Sequence, residues 1–246
     1  MRKRASRRAA TALTRLGVTL ERTAKSERFP ALLARRLRAL TDRSEFYFVQ
    51  IGANDGQSHD PLSTFVRANR LRGLVVEPLP DAFERLRAFY AGCPGVKPVN
   101  VAIHAEQTRV TLHRPRPELG ARSSGIASLD PERYKLTSRR TGIGAADMVA
   151  IDVPAMTLAD LFERERIDHL DALVIDTEGY DFEILRGLDL DRYRPSIVRF
   201  EHGVYSGVAA RAQLREALLR FYDHGYSIAM ERVDALAWLQ EDVERP

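Results

Sequence analysis

From residue 45 onward the chain alternates short apolar runs with longer stretches whose apolar residues recur every three or four positions. The runs 46–51, 73–77, 96–103, 149–153, 172–176 and 197–201 have the length and composition of strands buried on both faces. Between them, 58–71, 81–90, 158–166, 182–188 and 209–222 are helical in period. Phe83, Leu86 and Phe89 share one face, as do Leu214, Leu218 and Leu219. Pro61 falls in the first turn of the 58–71 helix. Stretches 226–230 and 235–239 read as a closing strand pair, 109–113 as a strand returning near the third, and 31–40, behind Pro30, as a helix packed on the main body. Such alternation predicts a doubly wound α/β domain whose mostly parallel sheet is covered on both sides. Residues 114–150, rich in Arg, Ser, Gly and Pro, interrupt the pattern and are expected to form a lid or substrate loop.

The first strand stops abruptly, in Phe46–Gly56, FYFVQIGANDG. In a doubly wound sheet, ligands bind at the carboxyl ends of the strands where the winding reverses. Gly52 and Gly56 bracket the first strand-to-helix turn, where glycine permits positive φ and close approach of a ligand to the backbone. Asn54 and Asp55 tolerate left-handed geometry between them. The second strand ends in Glu77, 21 residues after Gly56. A carboxylate there is placed to accept both hydroxyl protons of a ribose; alone it is equally a helix cap. The dinucleotide fingerprint G-x-G-x-x-G, the P-loop and the G-x-S-x-G elbow are all missing from the sequence. A ribose acid beside an open glycine turn suits S-adenosylmethionine better than NAD.

FVQIGANDG, LVVEP, VNVAI, SSGIASL, LVIDTEGYDFEILRGL and IVRFEHG, in that order and spacing, resemble the FkbM family of S-adenosylmethionine-dependent methyltransferases over roughly residues 46–203. The resemblance implies a Rossmann-like class I methyltransferase fold, a seven-stranded sheet with its last strand antiparallel. It also implies O-methylation of a sugar or natural-product hydroxyl. The cofactor-binding positions it suggests are Gln50, Gly52, Asn54, Asp55, Gly56, Glu77, Asn100 and Ala102. Such enzymes usually carry an acid where this chain has Gln50, which keeps open an alternative: a catalytically inactive nucleoside-binding module of the same fold.

Two further strand ends carry acids: Asp176 and Glu178 in IDTEG, and Glu201 followed by His202 in FEHG. Placed where donor and acceptor meet, these four are the expected catalytic residues. They can orient an acceptor hydroxyl, take its proton, or hold a divalent cation through oxygen ligands. A required metal is not favoured, since positioning plus His202 can suffice. Asp181 is assigned to complementing the N-terminus of the helix that follows. Ser123–Leu129 offers hydroxyls in the lid, and Arg114, Arg116 and Arg122 offer charge to an anionic acceptor.

Charge divides the chain unevenly. Residues 1–43 carry 13 Lys and Arg against 3 Asp and Glu, so the rest of the chain is acidic. The expected organisation is a basic, partly helical extension over 1–43, with Leu13, Leu16 and Leu20 at helical spacing, followed by a methyltransferase domain over 44–246. The extension is read as a solvated helix, a membrane-surface or acidic-partner contact, or a transit peptide. The acidic body argues against nucleic acid as a partner; the acceptor is expected to be a small molecule or glycan. Cys93 has no second cysteine to pair with, and no apolar run approaches the ~18 residues of a membrane span, so a cytoplasmic protein is expected.

Overall fold

The computed structural model of the protein describes residues 28–243 apart from 59, 124, 137 and 204–206. The leucines at 13, 16 and 20, and the contact expected of the basic extension, lie outside the described residues.

Seven strands form one sheet in the order β3-β2-β1-β7-β8-β10-β9. They are β1 (Tyr47–Ile51), β2 (Arg72–Val76), β3 (Val96–Val99), β7 (Ala172–Ile175), β8 (Ile197–Glu201), β9 (Tyr226–Met230) and β10 (Asp234–Leu239). Neighbours are parallel except β10, which runs antiparallel to both β8 and β9. This is the doubly wound, mostly parallel sheet that the apolar runs predict, with its last strand antiparallel.

Both faces are covered, as strands apolar on both faces require. Helices α1 (Arg28–Ala39), α2 (Ser63–Asn69) and α3 (Pro80–Phe89) lie on one face. Their Phe29, Leu33, Leu37, Val66 and Leu86 pack with Phe48, Val75 and Val174. On the other face, α4 (Leu158–Arg164), α5 (Asp181–Arg186) and α6 (Gly207–Asp223) bring Leu161, Phe182, Leu185 and Phe221 against Val49, Leu74, Leu173 and Phe200. The chain therefore leaves β1 toward one face and β7 toward the other. Adjacent strands that part in this way make the crevice of the switch point. α1 buries Phe29, Leu32, Leu33 and Leu37, so this stretch of the basic extension is part of the core.

Three elements depart from the sequence pattern. The strand expected over 96–103 is cut after Val99. Asn100 turns the chain by donating from Nδ2 to the carbonyls of Glu77 (2.8 Å) and Pro78 (3.0 Å). Its remainder, β4 (Ala102–Ile103), joins a separate sheet, β4-β6-β5, with β6 (Met148–Met156) and β5 (Arg109–Pro115). The helix expected from Ser58 starts only at Ser63, after a turn in which Asp60 Oδ1 accepts from the backbone of Leu62 and Ser63, both at 2.7 Å. Pro61 thus precedes the helix. Finally, the loop expected over 114–150 is flanked by strand at both ends, with Pro115 pairing to Met148. Arg114 occupies an inward β5 position where alternation calls for an apolar side chain, and it is buried because Asp81 pairs with its guanidinium.

Candidate active site

The carboxyl ends of β1, β2 and β3 gather one group of polar residues. Gly52 has φ +80°, and a Cβ there would lie 1.9 Å from the carbonyl oxygen of Asp176, just after β7. Gly56, at φ +74°, would drive a Cβ to 2.7 Å from the Phe89 ring. Glycine at both positions is thus required by the protein's own packing, where the sequence pattern suggested a ligand's approach. Asn54 turns left-handed, with φ +49°, and its N–H donates to Glu77 Oε2 at 2.9 Å. Glu77 Oε1 accepts from the Leu79 N–H at 3.0 Å. The carboxyl is only 6% exposed, and burial pushes it up to about 7 against the pull of those N–H groups and Arg114. Two of its roughly four lone-pair directions are taken, which leaves acceptor capacity for two hydroxyls. Asp55 is engaged locally, accepting from the Gln57 and Ser58 backbones.

Gln50, 2% exposed, donates from Nε2 to Asp60 Oδ2 at 3.1 Å, while its Oε1 is buried without a donor. Asp60 was not among the expected site residues, although an Asp before Pro61 at a helix start is a capping signature. Burial raises its pKa, opposed by the hydrogen bonds it accepts from Leu62, Ser63 and Gln50. Asn100 joins this group through Glu77 and Pro78. Ala102 instead packs in β4 against the small side sheet, with Leu79, Ala82 and Val153.

The ends of β7 and β8 gather a second group. Asp176, Glu178 and Glu201 each present a carboxylate oxygen within 4.8 Å of the others. Asp176 is pushed up to about 8, by burial first and then by Asp181 and Glu178. Glu201 is pushed up to about 9, again by burial first and then by Asp176 and Glu178; its Oε2 is buried without a hydrogen-bond donor. Glu178 holds φ +55°, a left-handed conformation that costs a non-glycine residue roughly 1–2 kcal/mol. The 114–150 segment holds this conformation, since the Ser128 hydroxyl donates to the Glu178 carbonyl at 2.7 Å.

Two expectations change here. Asp181 does open α5, but it is also fully buried and ties the two strand ends together. Its Oδ1 accepts from the Glu201 N–H (3.0 Å) and its Oδ2 from the Thr177 hydroxyl (2.7 Å). His202 is not part of that cluster; its ring Nε2 lies 3.3 Å from the Glu231 carbonyl and its backbone N–H donates to the Val233 carbonyl. Among the arginines expected to face the acceptor, Arg114 is committed to Asp81 and Arg116 donates to the Ala146 carbonyl at 2.9 Å, while the Arg122 side chain lies outside the described residues. The arginine that reaches the acids is Arg133, paired with Glu178 Oε2 and also donating to its carbonyl at 3.3 Å. Irregular sequence around it carries no periodicity from which this could be read.

A switch-point crevice with a buried acid on one side and clustered carboxylates on the other is the ligand-binding end of a doubly wound α/β domain. Residues 50–228 match the family described as Methyltransferase FkbM domain, and the chain belongs to that family. Among curated proteins none matches. Among solved structures, a methyltransferase FkbM from Methylobacillus flagellatus KT is 15% identical, with a TM-score of 0.49 over 94% of this chain and 59% of that one. An O-methyltransferase from Bacillus cereus in complex with SAH is 11% identical, with a TM-score of 0.44 over 87% and 82% of the two chains. A precorrin-6y C5,15-methyltransferase from Geobacter metallireducens GS-15 is 14% identical, with a TM-score of 0.42 over 88% and 90%. Likenesses this low add nothing to the family match.

S-adenosylmethionine is the methyl donor of these enzymes. The residues present fit it: Glu77 retains acceptor capacity for vicinal hydroxyls, and the orphaned Gln50 Oε1 beside Asp60 is an acceptor suited to an N–H donor. Among the described residues, no helix is long and apolar enough to cross a membrane.

Proposed function

We propose that the protein moves the methyl group of S-adenosylmethionine to a hydroxyl of a carbohydrate or natural-product acceptor. The observation that carries this reading is the Asp176–Glu178–Glu201 cluster, three acids gathered at the switch point beneath the lid. When bound, the cofactor supplies an electrophilic methyl group on a sulfonium. Glu77, Gln50 and Asn54 would hold its ribose and amino-acid ends. Asp176 and Glu201 supply the proton acceptor: a buried carboxylate whose pKa lies near 8 or 9 is a much better base toward a hydroxyl than one near 4. An orientation fixed by rigid strand ends contributes as much as the base does, because methyl transfer demands in-line approach. The acceptor is a small molecule or glycan rather than nucleic acid, in keeping with the acidic charge of residues 44–246.

The test is transfer of labelled methyl to a panel of hydroxylated sugars and polyketide-like alcohols, followed by mild alkaline hydrolysis of the product. An alkali-stable ether is the expected result. A labile ester, or label found on nitrogen, would overturn the hydroxyl assignment. Calorimetric binding of the cofactor without turnover on any acceptor would favour the inactive binding module.

A further inference from the structure

Three carboxylates within 4.8 Å of one another are an oxygen donor set that suits Mg²⁺, Ca²⁺ or Mn²⁺. In this protein a side chain already meets that demand for positive charge. Arg133, carried by the 3₁₀ turn Arg133–Leu136 in the lid, is only 6% exposed. Its guanidinium pairs with Glu178 Oε2 and donates through Nε to the Glu178 carbonyl at 3.3 Å, so one planar fork holds both side chain and backbone of the same residue. Its charge is also felt at Glu201, where it opposes the neighbouring acids. The lid is fixed beside it by Ser128, whose hydroxyl holds the same Glu178 carbonyl and whose backbone pairs with His113 in both directions (2.8 and 3.0 Å).

We propose that Arg133 is the resident counter-cation of this centre: it ties up the Glu178 carboxylate that a divalent ion would need, and so closes the cluster to such ions while anchoring the lid. The guanidinium and a metal ion compete for the same carboxylate. Arg133 is on this account a positioning residue, and Glu178 is the post to which the lid is fastened, leaving Asp176 and Glu201 for the acceptor's proton. The inference stands on the geometry of the acids and of Arg133, not on the identity of the acceptor, so metal binding and methyl transfer can succeed or fail separately.

Mn²⁺ binding to the full chain, followed by loss of the free-ion electron paramagnetic resonance signal at about pH 8.5, reads this directly. Wild type is expected to bind Mn²⁺ only in the millimolar range. Arg133→Met, which keeps the stem and removes the charge, is expected to bind one ion at least about 10-fold more tightly. Arg133→Lys should behave as wild type, and Arg133→Met combined with Glu178→Gln should lose the gain. Micromolar Mn²⁺ binding by wild type would overturn the proposal, and that measurement needs no variant to fold. So would an Arg133→Met protein, shown folded by circular dichroism, that binds Mn²⁺ no better than wild type, or a gain that survives Glu178→Gln.

Discussion

The two halves of the strand-end crevice are built on opposite plans. On the β1–β2 side, one buried acid, Glu77, is surrounded by backbone donors that its own neighbouring turns supply, from Asn54 and Leu79. On the β7–β8 side, Asp176, Glu178 and Glu201 crowd one another, and the relief comes from distant sequence, Arg133 and Ser128 of the 114–150 segment, while Asp181 ties the strand ends together beneath and adds to the repulsion. The first half is satisfied by main chain and is, on the proposed function, the half that holds the cofactor. The second stores unfavourable charge and a left-handed Glu178, which is what a reacting centre needs and a binding site does not.

The largest expected effect separates the halves. Asp176→Asn should lower turnover by on the order of 100-fold or more, the usual worth of a positioned base, while the cofactor's dissociation constant stays unchanged. Single-turnover rates beside calorimetric titration give both numbers, and full activity in the variant would remove β7 from the chemistry. The mirror experiment is Glu77→Ala. Loss of charge-assisted hydrogen bonds to two hydroxyls should weaken cofactor binding by about 2–3 kcal/mol, beside a stability cost from the Asn54 and Leu79 N–H groups left unpaired. Unchanged affinity in a folded variant would break the assignment of the β2 end to the ribose.

A smaller effect concerns pH, since the two halves titrate in different ranges. Glu77 must be ionised to accept hydroxyl protons, and burial holds it up to about 7. Cofactor affinity should therefore be flat above neutrality and fall by up to about tenfold per pH unit below it. Turnover at saturating cofactor should go on rising between pH 7 and 9, as Asp176 (about 8) and Glu201 (about 9) lose their protons. Coincident profiles for affinity and turnover would show that one group governs both.

The smallest effect is on stability. Asp176 has its pKa raised in the fold, so the native state binds the proton more tightly than the unfolded chain does. The stability this contributes is fully present below about pH 4 and is lost as pH rises through about 8. Asp176→Asn removes that loss, and should raise Tm by roughly 2–4 °C near pH 9, about 1 kcal/mol, with little change near pH 4. Differential scanning calorimetry at the two pH values checks it, and equal shifts at both would point to packing instead of charge.

The sheet was legible because its strands are apolar on both faces, a pattern that survives in one dimension. β8 and β9 fall within the residues expected of them, and the glycine turn, Glu77 and the acids at 176, 178 and 201 all lie at strand ends, as their sequence positions implied. The errors cluster where one long-range contact outweighs local preference. Asn100 cuts a run of strand formers by bonding back to the end of β2, a turn at Asp60 precedes α2, and the buried pair of Arg114 with Asp81 puts a charge where alternation asks for an apolar residue.

Sequence alone determined which residues are apolar, where the strands end, and which acids sit there, because each of these depends on neighbours within a few positions. It could not determine which distant side chain answers each charge. Arg133 meets Glu178 across 45 residues of irregular chain, and Gly52 is needed because β7 brings the Asp176 carbonyl against it. The tertiary structure decided these pairings, since compensating a buried charge and fitting two backbones together are properties of proximity in space, which no local period encodes.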